Sequence, residues 1–142
     1  MRPTLPLMAL TTLMVACGDI EVSLTTDATA YQPGDTVQLL LQNQGTPKVG
    51  YNFCAVRIER REEDAGWTHT PHLGEDEACP AMSQTLKGGA QAQGTLRLPV
   101  ELRAGEYRIV HEVDTFRTDS QGRTDQEPVT SNLFLVGEEG TP

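Results

Sequence analysis

Residues 51–61 read Tyr-Asn-Phe-Cys-Ala-Val-Arg-Ile-Glu-Arg-Arg, a charged turn follows over 62–66, and residues 67–70 read Trp-Thr-His-Thr. Alternate side chains of a strand share a face, so Cys54, Val56 and Ile58 are expected on one side of an extended strand. A cysteine in an apolar strand, Trp67 on the next strand and Cys79 downstream indicate a β-sandwich core stapled by a disulfide.

The composition limits the chain to one small, acidic domain. Its 142 residues are enough for one core but not for two. The formal net charge of −9 would repel phosphate backbones, which argues against nucleic-acid binding. No apolar run approaches the roughly 20 residues that a membrane-spanning helix needs.

Strand-like alternation recurs along the chain on both sides of this segment. Apolar residues share one face at 20, 22 and 24, at 37, 39 and 41, and at 107, 109, 111 and 113. A last strand is expected over Val129–Val136, with Leu133 and Leu135 inward. Further short strands are expected over 92–98 and 100–102, a long connection over 71–90 and a polar hairpin loop over 114–128. About seven strands predict an all-β, immunoglobulin-like antiparallel sandwich over residues 20–136, followed by a tail over 137–142.

The amino terminus has the features of an export signal. Arg2 precedes a short apolar segment that ends in Leu13-Met14-Val15-Ala16-Cys17, a pattern that resembles the lipobox of bacterial lipoproteins. The resemblance implies a signal peptide over 1–16 and diacylation of Cys17, with a lipidated amino terminus over 17–27 leading into the first strand. Met14 stands where Leu is commoner, and the alternative is a weakly amphipathic start with a chance cysteine. Lipid anchoring implies a domain tethered to a bacterial membrane at the cell envelope, in the periplasm or outside the cell.

The cysteine count is consistent with this anchor. The chain has three cysteines, an odd number that needs an explanation in an exported protein. If Cys17 carries lipid, Cys54 and Cys79 remain as a pair in an oxidising compartment. Closing the intervening loop would contribute roughly 3–4 kcal/mol in the chain-entropy description.

The order of the signals resembles a family of bacterial immunoglobulin-like domains. The matching pieces are the Pro33-Gly34 turn, the segment from Tyr51 to Cys54, Trp67, and a strand that opens with Gly105-Glu106-Tyr107. The resemblance covers roughly Ile20 to Val136 and implies a binding or structural role in secreted or lipid-anchored proteins. A fainter likeness runs to the intracellular proteinase inhibitor of bacilli, which shares a Pro-Gly turn and a Gly-x-Tyr strand.

No set of residues forms a convincing catalytic or metal site. His69 and His72 precede three acidic residues at 75–77, but Pro71 prevents a helical His-x-x-His and the acids lack the alternation of a calcium loop. His111 is expected to be a half-buried strand residue, and Trp67 is expected to pack on the disulfide. No free cysteine or recognisable serine elbow supplies a nucleophile. We therefore expect neither an enzyme nor a cofactor.

The sequence predicts a lipid-anchored envelope module that binds a protein partner or serves a structural role. The polar loop over 114–128 is the expected contact surface, because binding residues concentrate on long loops held by rigid strands. The first alternative is a proteinase inhibitor that presents either this loop or residues 71–81 to a protease. A small metal-dependent enzyme is the third.

Overall fold

A computed structural model of the chain describes residues 18–64, 66–72 and 83–137. In these ranges the chain forms eleven strands and one three-residue 3-10 turn, Phe53–Ala55. The strands are β1 (Val22–Thr26), β2 (Ala30–Tyr31), β3 (Thr36–Asn43), β4 (Val49–Tyr51), β5 (Arg57–Glu62), β6 (Gly66–Thr70), β7 (Gln84–Leu86), β8 (Gln91–Arg97), β9 (Gly105–Thr118), β10 (Thr124–Thr130) and β11 (Phe134–Val136). No helix within the described ranges has the length and hydropathy to cross a bilayer.

The strands form two sheets of a sandwich. The smaller sheet has the order β1-β3-β8, and all its pairs are antiparallel. In the larger sheet β9 is the central strand, with β10 and β11 pairing along it and with β4 and β5 also bonded to it. The remaining strands extend this sheet outward: β2 pairs with β11, β6 with β5 and β7 with β4. The predicted all-β, immunoglobulin-like sandwich is confirmed.

Alternation in the sequence matches the buried faces of the longest strands. Val37, Leu39 and Leu41 are buried from β3, and Tyr107, Ile109, His111 and Val113 are buried from β9. The Tyr107 hydroxyl donates to the Arg103 carbonyl at 2.6 Å. A tyrosine that closes on the backbone a few residues upstream is a hallmark of immunoglobulin-like sandwiches.

The expected strand through Cys54 is interrupted. Cys54 lies in the 3-10 turn between β4 and β5, where the Asn52 side chain accepts a hydrogen bond from the Cys54 backbone N–H at 3.0 Å. Asparagine competes for backbone donors in this way and so breaks a strand. Val56 and Ile58 do lie in the core as expected. Cys79 lies outside the described residues, so the pairing of Cys54 with Cys79 stays a prediction.

The expected last strand, Val129–Val136, is also divided, and its predicted inward residues were wrong. Phe134 and Val136 are buried, whereas Leu133 and Leu135 are exposed. The reason is a break after β10, where the Ser131 hydroxyl accepts a hydrogen bond from the Ile109 backbone N–H. A break that shifts the alternation by one residue reverses which side chains face the core.

The short strand expected over 100–102 is a turn. The Pro99 carbonyl accepts hydrogen bonds from the backbone N–H groups of Leu102 and Gly34. This contact joins the 99–102 turn to the Pro33-Gly34 turn, where Gly34 has a φ of +86°. Proline has no N–H for a strand ladder, which explains why the strand ends before it.

Candidate functional site

The segment expected to be a polar loop, 114–128, is a two-stranded arm. β9 continues to Thr118, β10 begins at Thr124, and the two strands pair from Thr118↔Thr124 down to Val110↔Thr130. Every residue from Phe116 to Pro128 is exposed. From Phe116 onward the arm has no buried face, and a strand without a buried face leaves no hydrophobic alternation in the sequence. The prediction of a polar hairpin loop over the whole segment was therefore wrong, because its residues are paired strands up to Thr118 and from Thr124.

Asp119 organises the turn at the tip of the arm. Its carboxylate accepts hydrogen bonds from the backbone N–H groups of Gln121 and Arg123, at 2.8 and 2.9 Å. The Arg123 Nε donates to the same carboxylate at 3.0 Å. These bonds, led by the one from the Arg123 backbone, lower the pKa of Asp119 below its usual value. Gly122 supplies the positive φ that the turn needs, at +77°.

A bulge at the base of the arm turns Phe116 outward. Between the pairs Asp114↔Gln126 and Thr118↔Thr124, β9 advances four residues while β10 advances two. Phe116 has a φ of +57°, and its backbone N–H donates to the Asp114 carboxylate at 2.7 Å. Its ring lies over Gly50, where an added Cβ would come within 3.0 Å of the ring. The bulge therefore places Phe116, a residue that is 45% exposed, beside β4.

The beginning of the described chain lies against the same part of the molecule. The Arg117 guanidinium donates to the Gly18 carbonyl at 3.1 Å. Gly18 also packs against Thr46 and Pro47, in the turn between β3 and β4. The backbone N–H of Gly45 in that turn donates to the Glu21 carbonyl at 3.2 Å. Gly18, the first residue after Cys17, therefore already contacts the folded domain.

We call this end of the sandwich the amino-terminal pole, defined by Gly18, the 44–48 turn, the 87–90 turn and the arm from Phe116 to Thr124. Both lysines of the chain, Lys48 and Lys87, lie in its turns and are exposed. The Lys48 ammonium is 5.4 Å from the centroid of the Phe116 ring, which is within cation–π range. Arg117 and Arg123 add further positive charge to a chain whose net charge is −9.

Trp67 lies on the outer face of the larger sheet, beside Arg108. Because Cys79 lies outside the described residues, the expected packing of Trp67 on a disulfide stays a prediction. The Arg108 guanidinium is 4.1 Å from its ring centroid, and that of Arg61 is 6.0 Å away. Glu59 holds Arg108 with contacts of 2.8 Å. Trp67 pairs with Arg61 in the β5–β6 register, so both side chains lie on the same, outer face of the sheet. Its ring therefore covers the Arg108–Glu59 salt bridge on this face of the sheet.

His111 is fully buried rather than half-buried. Its Nε2 accepts a hydrogen bond from the Asn52 backbone N–H at 3.1 Å, and its ring stacks on Phe53. The Nδ1 atom therefore carries the proton, and it has no hydrogen-bond partner within the described part of the chain. Burial lowers the pKa of His111, and the charge of Glu112 opposes this to a smaller extent. A neutral, enclosed imidazole of this kind supports the 3-10 turn.

The two histidines considered for metal binding do not form a site in the described residues. His72 Nε2 lies 2.9 Å from the Val56 carbonyl, and His69 is on β6. The acidic residues expected to join them, 75–77, lie outside the described ranges. Where the chain is described, no group of three His, Cys, Asp or Glu side chains is placed to hold a metal ion.

A cavity that no sequence feature predicts lies at the opposite end of the sandwich. It has a volume of about 350 Å³ and is lined by ten residues: Arg60, Thr68, His69, Thr70, Pro71, Pro99, Glu101, Leu102, Arg103 and Tyr107. Arg60 is held there by the Ala104 carbonyl and by Glu62, at 3.0 and 3.1 Å. These residues come from four places in the chain, β5, the end of β6, the segment 99–103 and β9, so no local motif indicated the cavity.

Comparison with known proteins identifies a family. The model of a family described as the bacterial Ig-like domain matches residues 18–126, which is most of the chain. A search of curated proteins found no match.

Solved structures give weak likenesses with TM-scores below 0.5. A DNA glycosylase, AlkC, from Pseudomonas fluorescens is 10% identical, with a TM-score of 0.41 over 84% of this chain and 31% of its own. The neutral ceramidase of Pseudomonas aeruginosa is 14% identical, with 0.47 over 84% and 19%. The putative ApaA protein of Bordetella pertussis is 13% identical, with 0.42 over 87% and 95%. The chain thus spans less than a third of the first two structures, and none of the three bears on its activity or ligands.

Proposed function

Because the chain belongs to the bacterial immunoglobulin-like domain family, we propose that it is a lipid-anchored, non-catalytic module that binds a partner at the cell envelope. Domains of this family are typical of extracellular and envelope-associated proteins. The lipobox-like segment that ends at Cys17 supplies the anchor in this proposal, with residues 1–16 removed as a signal peptide.

The observation that carries the proposal is the position of Gly18. It is one residue from Cys17, and it is already held by Arg117, Thr46 and Pro47. Consecutive Cα atoms are only about 3.8 Å apart, so lipid on Cys17 would leave almost no tether. The anchor would hold the amino-terminal pole at the membrane surface. Such a module acts on partners close to the bilayer rather than at the end of a long linker.

The chemistry of the described residues supports binding rather than catalysis. His111 is buried and neutral, and it contacts backbone and an aromatic ring rather than a nucleophile. The arm is paired as two strands, so no feature of its structure favours the proteinase-inhibitor alternative. An exposed two-stranded arm on a rigid sheet is suited to contact with another protein, and we assign the partner contact to the part of the arm beyond Arg117, residues 118–128.

The proposal includes a disulfide between Cys54 and Cys79. Cys54 is positioned by the Asn52 cap next to buried Val56, and the turn that holds it contacts β9. A bond to Cys79 would join residues 73–82 to this turn. It would do so without involving Cys17, which stays available for lipid.

Replacement of Cys17 tests the anchor. In a bacterium that processes lipoproteins, Cys17→Ser should either release the protein into the soluble fraction or leave it unprocessed, with its signal peptide still attached. Met14→Leu is the matched control, because it brings the lipobox-like segment closer to the usual pattern and should leave the protein in the membrane. Unaltered membrane partitioning of a processed Cys17→Ser protein after a high-salt wash would refute the anchor.

Removal of the arm tests the contact surface. Residues 119–123, the turn between the paired Thr118 and Thr124, would be replaced by Asn-Gly, the dipeptide favoured in two-residue hairpins. Because residues 116–128 are exposed, the free energy of unfolding should change by less than about 1 kcal/mol. Quantitative mass spectrometry after cross-linking in cells should show loss of a protein partner. Val100→Ala, exposed at the opposite end, is the control; equal recovery from both variants would refute the assignment.

A further inference from the structure

Phe116 is an exposed aromatic side chain held in place at an unfavourable backbone conformation. A φ of +57° is uncommon for a bulky residue, and Asp114 stabilises it through the 2.7 Å bond to the Phe116 N–H. Because Gly50 has no side chain, the ring can pack directly against the backbone of β4. These features keep an apolar ring at the surface, although water is an unfavourable environment for it.

The position of this ring relative to the predicted anchor indicates what covers it. Arg117, the next residue, touches Gly18, and Gly18 follows the cysteine that would carry the acyl chains. The ring is therefore within a few residues' reach of the bilayer once the protein is anchored. Phe is among the residues that enter the boundary between headgroups and acyl chains.

The charges around the ring fit a phospholipid surface. Lys48 lies 5.4 Å from its centroid, and Arg117 follows it in the chain. Two of the nearby carboxylates accept hydrogen bonds within the domain, that of Asp114 from the Phe116 N–H and that of Asp119 from Arg123, whereas Asp19, beside Gly18, is exposed. Cations beside an apolar ring match anionic headgroups above an acyl region. The rest of this acidic chain would be repelled from the same surface.

We propose that Phe116, flanked by Lys48 and Arg117, is a second membrane contact that inserts into the headgroup region of anionic phospholipids and fixes the orientation of the anchored domain. This inference rests on the proposed lipid anchor at Cys17. It adds a stated ligand class, the anionic phospholipid surface, and a fixed orientation with the amino-terminal pole toward the bilayer.

The test places a fluorescent probe at the proposed contact. Trp67→Phe removes the native indole, and Phe116→Trp introduces one in the same lipidated, mature protein. Leu135→Trp in the same background is the matched control, because Leu135 is also exposed but pairs with Glu106, ten residues before Phe116 along β9. At about 3.3 Å per residue the two probes are at most about 33 Å apart along β9, and the bulge after Asp114 shortens this distance. The proteins are reconstituted in phosphatidylethanolamine–phosphatidylglycerol vesicles with and without brominated acyl chains.

The expected result is strong quenching by brominated lipid of the indole introduced by Phe116→Trp, together with a blue shift of its emission. The Leu135→Trp control should show neither. The Phe116 effect should weaken when phosphatidylcholine replaces phosphatidylglycerol and when Lys48→Gln is added. Flotation with the vesicles is measured in every sample, so that anchoring and insertion are read separately.

Three results would overturn the inference. Protein that floats but shows equal quenching at both positions has an anchor without the second contact, and the proposed function survives. Protein that does not float lacks the anchor, and both proposals fail. An indole at position 116 that is shielded from iodide in native envelopes but unaffected by brominated lipid is covered by a protein, and the lipid assignment is wrong.

Discussion

Asn43→Ala tests the packing that holds the amino-terminal pole together. Asn43 is only 1% exposed, and its side chain joins three segments. Its Nδ2 donates to the carbonyls of Pro47 and Leu86 at 2.8 and 3.1 Å, and its Oδ1 accepts from the Gly45 N–H at 3.1 Å. One side chain thereby fixes the 44–48 turn against β7.

The magnitude follows from these three bonds. Each contributes roughly 0.5–1.5 kcal/mol net, and a buried group left without a partner costs more. The Gly45 N–H retains a second acceptor in the Glu21 carbonyl, which reduces that part of the loss. We expect Asn43→Ala to lower the free energy of unfolding by about 3 kcal/mol.

Urea denaturation followed by Trp67 fluorescence and by circular dichroism measures this loss. Gln42→Ala is the matched control, because its side chain makes only a 3.5 Å exposed contact with Gln91 and should change stability by less than about 0.5 kcal/mol. Asn43→Asp keeps the acceptor but places a carboxylate against two carbonyls, so it should be at least as unstable as Asn43→Ala at pH 7. A loss below about 1 kcal/mol, or a stable Asp variant, would refute the reasoning.

Three further predictions concern the core and the disulfide. Burial lowers the folded-state pKa of His111 below 6.5, so the unfolded chain binds the proton at a higher pH than the folded protein does. The contribution of His111 to the free energy of unfolding should therefore be constant above about pH 7 and fall from about pH 6.5 toward pH 5. Urea titrations of His111→Gln should show a smaller pH dependence over this range. Cys54 and Cys79 in protein from the envelope should resist alkylation until reductant is added; two reactive thiols would exclude the bond. Gly94→Ala should cost about 1–3 kcal/mol, because its Cβ would come within 2.6 Å of the Phe53 ring, and wild-type stability would contradict that packing.

The sequence was informative where one face of a strand is buried. In β3 and β9 every second side chain enters the core, so burial produces the period-two pattern from which the sandwich was predicted. The hydroxyl of Tyr107 then closes a corner typical of the fold. These features depend on local periodicity and can be read from a single chain.

The errors have a different physical origin. The Asn52 cap turns the Cys54 segment into a 3-10 turn, and a side-chain bond of that kind leaves the apolar pattern unchanged. Both faces of the arm over 116–128 are exposed to solvent, so the sequence of its paired strands is as polar as that of a loop. Leu133 and Leu135 faced outward because the break at Ser131 shifted the register.

The candidate site was only partly accessible from the sequence. The segment 114–128 was identified as the contact surface, but its relation to Cys17 was not. That relation depends on the Arg117–Gly18 contact, which joins residues 99 positions apart. Local spacing in the sequence carries no signal for a contact of this kind. The packing of the Phe116 ring on Gly50 likewise joins residues that are far apart in the sequence.

The central claim is that the folded domain follows an acylated Cys17 without a linker. Intact-mass and peptide mass spectrometry of protein purified from the membrane fraction tests it most directly. The account predicts a mature chain that begins at Cys17, carries a diacylglyceryl group on that residue and lacks residues 1–16. A membrane-fraction protein that begins at another residue, or a Cys17 without lipid, would contradict the account.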